Sequence, residues 1–235
     1  RNPSRVPDML KSLHAPRGMV TAPHHLASQA GLAVLRDGGN AVEAMVAMAS
    51  TIAVVYPHMN AIGGDGFWLV SDPAKGVFGI DACGRSGSAA TRDFYRERGC
   101  ASIPSRGPLA ANTVAGAISG WMAALESAGG KLPVSRLLAD AAWYARNGAP
   151  VTGNQVTYTA KFQAELQDQP GFAKAYLTDG RPHAAGSLQR FPALAATLER
   201  LAKAGLDDFY RGEIGVALAA ELAKLDSPVR AKDLR

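Results

Sequence analysis

The chain has 235 residues, 47% hydrophobic and 19% charged, enough for a sizeable core and too apolar for disorder. Its formal charge of +5 raises nucleic acid as a partner, but the basic residues are interleaved with acids, as in Arg92-Asp93-Phe94-Tyr95-Arg96-Glu97-Arg98, so no nucleic-acid partner is expected. The two cysteines, Cys83 and Cys100, make neither a disulfide framework nor a zinc pattern, and free thiols are expected.

Residues 1–15 are polar, contain proline and read as a surface arm, leaving 16–235 as a single domain. Gly18 to Ala22 predicts a short strand closed by Pro23. Leu26, Ala30, Ala33 and Val34 fall at helical spacing, and Gly38-Gly39 ends that helix. Asn40 starts a second helix, with Glu43 where a capping-box acid belongs. From Ala41 to Val55 nearly every face is apolar, so this helix must be covered on both sides. It is shorter than the roughly 20 residues a bilayer needs, so no membrane span is expected, and Pro57 forbids its continuation. The compartment, cytoplasmic or periplasmic, stays open.

Gly63-Gly64-Asp65-Gly66 reads as a tight turn, either one between packed elements or one that shapes a site. Phe67 to Val70 and Val77 to Ile80 follow as strands, with turn chemistry from Ser71 to Gly76, and predict an antiparallel hairpin. Residues 99–111 are loop-like. From Asn112 helices dominate. Val114, Ile118, Trp121, Met122 and Leu125 form one apolar stripe stopped by Gly129-Gly130. Pro133 opens the next helix, which ends near Gly148. Further helices are expected over roughly 153–167, 192–204 and 213–225. The order predicts an α+β, layered α/β arrangement. Strands are few for such a core, so part of any sheet is expected from sequence not in this chain.

Few residues invite chemistry. The glycine turn is not a phosphate loop, because it runs from helix to strand and no Lys-Ser/Thr follows it. His24, His25 and His58 lack partners at ligand spacing. No Gly-x-Ser-x-Gly elbow is present. No metal or cofactor is expected. The stretch Asp81-Ala82-Cys83-Gly84-Arg85-Ser86-Gly87 leaves the second strand. There the Arg85 fork can reach a ligand carboxylate bidentately; the alternative is a surface arginine paired with Asp81 or Asp93. Cys83 would be a small, polarizable wall of the same pocket. Nothing in the sequence depresses its pKa.

Several stretches resemble the γ-glutamyltransferase (γ-glutamyl transpeptidase) family of N-terminal-nucleophile hydrolases. They are Gly18-Met19-Val20-Thr21-Ala22, Ala27-Ser28-Gln29-Ala30-Gly31 and the helix-turn-helix signature Leu35 to Ala44. Pro57-His58 with Ile62 to Phe67, Ala90-Thr91-Arg92-Asp93, Thr113 to Gly116, Ala145 to Val151, Phe209-Tyr210-Arg211-Gly212 and Lys232-Asp233-Leu234 continue the match. The resemblance implies a four-layer αββα sandwich, of which this chain supplies the first, helix-rich part. It implies a proenzyme that cuts itself into large and small subunits. The exposed threonine of the small subunit attacks an amide carbonyl, with its α-amine as base, and a glycine pair stabilises the oxyanion. Because the chain matches only the earlier part of the large subunit, no catalytic residue is assigned to it. The implied partners are the small-subunit polypeptide, in a heterodimer of processed chains, and a small-molecule amide substrate.

The family places an arginine after the hairpin to hold the substrate's α-carboxylate. A gapless count back from Ala90-Thr91-Arg92-Asp93 puts Cys83 there, with Arg85 two residues on. The substrate-binding candidates are therefore Arg85 and Cys83. The departure favours a relative acting on other amides: a small acid amide such as oxamate, or an acyl side chain as in cephalosporin-acylase-like members. Asp65 and Trp68 also replace plainer residues of true transpeptidases. A catalytically dead scaffold homologue is the non-enzyme alternative.

Overall fold

The structure is a computed structural model that describes residues 13–235. The surface arm read over 1–15 lies mostly outside the described residues; Leu13, His14 and Ala15 are exposed. No strand forms over Gly18 to Ala22. A strand needs a neighbour for its backbone groups, and none of the described strands pairs with this stretch.

Helix α1 (His25–Arg36) starts at His24, whose Nδ1 accepts from the Leu26 amide at 3.2 Å. It stops as the glycines predict. The Gly39 amide donates to the Val34 carbonyl at 3.0 Å and the Gly38 amide to Leu35 at 3.2 Å, with Gly38 at φ +89°, which is the left-handed Schellman cap. Helix α2 (Ala41–Val55) carries the expected capping box. The Glu43 amide donates to Asn40 Oδ1 at 2.9 Å and the Asn40 amide to Glu43 Oε2 at 2.7 Å. Glu43 is fully buried, and its Oε1 accepts the Lys131 and Leu132 amides at 2.6 Å each. A buried carboxylate is tolerable because backbone donors surround it.

Helix α2 packs on α1 and is then wrapped by later helices, burying Val46, Ala47, Val54 and Val55. Full coverage does not follow. Ala41 and Met45 are exposed, and Ala49 and Ile52 half-buried. Their spacing is one helical stripe, and no described element lies over it.

Strand β1 (Gly66–Asp72) pairs antiparallel with β2 (Gly76–Ala82), from Gly66 opposite Ala82 to Asp72 opposite Gly76. The predicted hairpin is thus present and somewhat longer. Asp72 Oδ1 accepts the Ala74 and Lys75 amides at 2.7 and 3.0 Å, closing the turn. Trp68, Val70, Phe78 and Ile80 share the half-buried face, while Phe67, Leu69 and Val77 share the exposed one.

Short α3 (Arg92–Glu97), capped by Thr91, was not expected from periodicity. Helix α4 (Ala117–Ala128) begins later than Asn112 because residues 112–116 are spent on contacts with the hairpin exit. The helix expected from Pro133 breaks into α5 (Val134–Leu137) and α6 (Ala139–Asn147) at Leu138. Two-residue strand β3 (Ala149–Pro150) and helices α7 (Gly153–Leu166) and α8 (Phe172–Tyr176) follow. Strands β4 (Leu177–Thr178) and β5 (Arg181–Pro182) pair across Asp179-Gly180, and β6 (Leu188–Gln189) returns to β3. Helices α9 (Pro192–Ala204), α10 (Asp208–Arg211) and α11 (Glu213–Lys224) end the chain with a 3₁₀ turn over Ala231–Leu234.

Two apolar clusters hold these helices together. The larger gathers Val46, Ile118, Leu137, Leu138, Leu201 and Phe209. The smaller joins Val54, Val55, Ala141, Ala145 and Leu198. The architecture is α+β, with helices against a single substantial hairpin among the described residues. No described helix is long and apolar enough to cross a membrane.

Candidate active-site pocket at the hairpin exit

Three loops meet where β2 ends. The Gly64 carbonyl accepts from the Gly116 and Ala117 amides at 2.9 and 3.0 Å, the Val114 amide donates to the Arg85 carbonyl at 2.8 Å, and the Gly87 amide donates to Asn112 at 2.8 Å. Ser86 and Thr113 complete an isolated antiparallel bridge. The approach is close enough to demand glycine. A Cβ on Gly84, which has φ +80°, would lie 1.8 Å from the Val114 carbonyl oxygen, and one on Gly116 would lie 2.0 Å from that of Ala82. From α10, the Tyr210 hydroxyl donates to the Ala115 carbonyl at 2.7 Å and accepts from the Ser119 amide at 2.9 Å. Burial pushes the Tyr210 pKa up, so this clamp stays a neutral phenol.

The loops enclose a pocket of about 590 Å³ lined by Cys83, Arg85, Ser119, Glu126 and Tyr210 among others. Both sequence-derived candidates therefore fall in one cavity. Arg85 makes no ion pair among the described residues. The partners weighed for it are occupied elsewhere: Asp93 pairs with Arg96 at 3.7 Å, and Asp81 turns back on Cys83. Among the described residues no carboxylate stands within ion-pair distance of the guanidinium, in a pocket that Asp81, Glu126 and Asp233 also line.

Cys83 is exposed and its amide donates to Asp81 Oδ1 at 3.0 Å. The thiol donates weakly to the Gly84 carbonyl at 3.8 Å; its contact with the Asp81 carboxylate raises the Cys83 pKa, with desolvation and repulsion from Asp65 in the same direction. The same contact lowers that of Asp81. At neutral pH Cys83 is a protonated thiol and a weak donor, without the electropositive surroundings of a nucleophilic cysteine.

The histidines have structural places. His24 caps α1 and stacks on His25 with ring centroids 4.6 Å apart. The His58 Nε2 lies 2.6 Å from Asn154 Oδ1, which also accepts from the Tyr56 hydroxyl at 2.8 Å. No group of three His, Cys, Asp or Glu among the described residues stands close enough to hold a metal. Asp65 and Trp68 line a different concavity, the groove between α2 and β1, rather than the Cys83–Arg85 pocket. Ser119, Glu126 and Tyr210 were missed as pocket residues; only the Phe209-Tyr210-Arg211-Gly212 motif marked Tyr210.

The family model described as gamma-glutamyltranspeptidase matches residues 27–235. The chain belongs to the gamma-glutamyltranspeptidase family. It is 53% identical over 222 residues to the oxamate amidohydrolase proenzyme of Klebsiella pneumoniae, covering 93% of this chain and 42% of that relative. Among solved structures, the gamma-glutamyltranspeptidase from Pseudomonas nitroreducens complexed with L-DON superposes with TM-score 0.83 at 33% identity, over 94% of this chain and 65% of that one. The cephalosporin acylase from Bacillus halodurans gives TM-score 0.81 at 31% identity, over 89% and 40%. This gamma-glutamyltranspeptidase-family chain spans less than half the length of the curated relatives it matches. The family fold is therefore present, with helices and one hairpin as this chain's share of it.

Proposed function

We propose that residues 16–235 are a portion of the large subunit of an autoprocessed amide hydrolase acting on a small amide that carries a carboxylate, of the oxamate type. The observation that carries this reading is the unpaired Arg85 fork beside a neutral Cys83 in one pocket. The 53% identity to an oxamate amidohydrolase proenzyme supports the same substrate class. In this reading Arg85 grips the carboxylate by two charge-assisted hydrogen bonds and fixes the neighbouring amide. The threonine that opens the partner subunit supplies the nucleophile. Its Oγ adds to the amide carbonyl while its α-amine takes the proton. The protonated α-amine returns that proton to the amide nitrogen, so the tetrahedral intermediate expels ammonia and leaves an acyl ester, which water, deprotonated by the same amine, hydrolyses to the free acid. Cys83 contributes shape and a weak S–H donor, and no charge.

Arg85 reaching a γ-glutamyl carboxylate from its shifted place is the second reading, favoured by the free guanidinium alone. One assay on the full-length, processed polypeptide separates the two. Ammonia release from oxamate with little release from a γ-glutamyl anilide is expected; the reverse preference overturns the substrate assignment. Intact mass and N-terminal sequencing should find a second chain beginning with threonine. Its absence, with no longer precursor, would leave the scaffold homologue instead. Arg85→Ala should raise KM for oxamate by about ten- to hundredfold, the equivalent of roughly 1.5–3 kcal/mol for a lost charged hydrogen bond. An unchanged KM removes Arg85 from the site.

A further inference from the structure

Arg85 stands on an exposed loop, so what its fork can grip depends on what holds its main chain. Among the described residues that main chain has one backbone hydrogen bond: its carbonyl accepts the Val114 amide at 2.8 Å. Val114 belongs to residues 113–116, which lie outside every helix and named strand. This stretch is pinned from two sides. On one side the Gly64 carbonyl takes the Gly116 and Ala117 amides. On the other the Tyr210 hydroxyl donates to the Ala115 carbonyl at 2.7 Å and accepts the Ser119 amide at 2.9 Å. The phenol is itself firmly seated. Phe209 and Tyr210 belong to the larger apolar cluster, and two hydrogen bonds from Arg200, at 2.8 and 2.9 Å, hold Asp208 beside them. A continuous line of contacts therefore runs from the core through the Tyr210 hydroxyl to Ala115, its neighbour Val114, and Arg85.

We propose that Tyr210 is a positioning residue for carboxylate recognition: its hydroxyl fixes the reach of Arg85 by holding the loop that carries the Arg85 main chain. The inference rests on the reading above that Arg85 grips the substrate carboxylate, and it adds which residue sets that grip. Tyr210 lines the same pocket, but its role is indirect. A phenol has one proton to donate, and that proton is committed to Ala115. The oxygen lone pair that remains would repel a carboxylate. The rigid ring, with two rotatable bonds and a polar tip, suits a fixed strut between core and loop. Geometry matters here because bidentate recognition needs the fork and the carboxylate coplanar, and displacements of about 1 Å can cost on the order of a hundredfold in rate.

Ammonia release by the full-length, processed enzyme from oxamate and from oxamide, its neutral diamide, tests the inference. The ratio of the two kcat/KM values reports the worth of the carboxylate contact. It does not depend on the folded fraction, so a merely structural role for Tyr210 cancels. Arg85→Ala should lower the ratio by about ten- to hundredfold. Tyr210→Phe keeps the ring and its packing and should lower the ratio by about two- to tenfold, the scale of one neutral hydrogen bond. In an Arg85→Ala background it should lower the ratio no further. A ratio that falls with Arg85→Ala but not with Tyr210→Phe overturns the inference and leaves the reading of Arg85 standing. A Tyr210→Phe effect that persists in full without Arg85 means that the phenol meets the substrate directly, and overturns it too. A ratio unmoved by Arg85→Ala, or a wild-type enzyme that leaves oxamate intact, overturns both the reading and the inference.

Discussion

Glu43→Gln isolates what one buried carboxylate does for the whole helical framework. The glutamate accepts three backbone amides: Asn40 at 2.7 Å, closing the α2 cap, and Lys131 and Leu132 at 2.6 Å each, closing the loop that leads to α5. Glutamine keeps the shape and one acceptor oxygen. It surrenders the capping-box arm, worth about 1 kcal/mol, and turns two charge-assisted bonds into neutral ones of about half the strength. Relief from burying a charge offsets part of this. The net loss should be about 2 kcal/mol, of a total of roughly 5–15 kcal/mol for a native domain. With a urea slope of about 2 kcal/mol per molar, the midpoint should fall by roughly 1 M. Glu43→Ala should cost roughly 4 kcal/mol, because it strands the amides and opens a cavity as well. The measurement is equilibrium urea unfolding followed by circular dichroism. A Gln variant that unfolds with wild type, or an Ala variant no worse than Gln, would show that water serves these amides as well as the carboxylate does.

Other outcomes follow from single contacts. Asp208 is gripped by Arg200 at 2.8 and 2.9 Å and accepts the Ile214 amide at 3.1 Å, and the Arg200 guanidinium holds its carboxyl at about 2 against an ordinary 3.8. A depressed folded-state value means stability that is complete above the ordinary value and lost as pH falls through about 2; Asp208→Asn should remove that portion of the acid dependence of Tm, and an unaltered acid profile would refute it. Gly116→Ala should destabilise by about 1–3 kcal/mol, since its Cβ would meet the Ala82 carbonyl oxygen, whereas Gly63→Ala, with nothing within 4 Å of its added Cβ, should be silent in the same thermal melt. Asp81→Asn should lower the Cys83 pKa and speed its labelling by a disulfide reagent in a Cys100→Ser background; an unchanged rate would mean that the Asp81 contact does not hold the proton.

The helices were legible wherever their signals are local. Asn40 with Glu43, Gly38-Gly39 and Gly129 fix ends by chemistry within a few residues, and the corresponding helix ends fall where expected. The hairpin was legible for the same reason. Asp179-Gly180 carried an equally local turn signal: both residues have positive φ, as a two-residue hairpin turn requires. Its strands are so short that no alternation announces them. The strand expected at Gly18 to Ala22 and the early start of α4 failed for the opposite reason. Each depends on what lies beside it in space, and residues 112–116 prefer the hairpin exit to a helix. Arg85 and Cys83 were readable as candidates because they flank a glycine after a strand. Tyr210 was not, since its two hydrogen bonds reach back more than ninety residues to Ala115 and Ser119.

The Gly63–Gly66 turn then has a definite mechanical role. Gly64 offers its carbonyl to the first amides of α4, where unsatisfied donors collect at a helix start. That single acceptor joins the entry of β1 to the loop that packs against the exit of β2. The turn therefore fixes the height of the Cys83–Arg85 pocket without contributing a side chain to it. Asp65, the one charged residue of the turn, acts on the pocket only at a distance, as a carboxylate that helps keep the Cys83 thiol protonated. Where the resemblance to the family implies a cation, this chain has Cys83, a thiol that the Asp81 carboxylate keeps protonated, and Arg85 lines the same pocket two residues along.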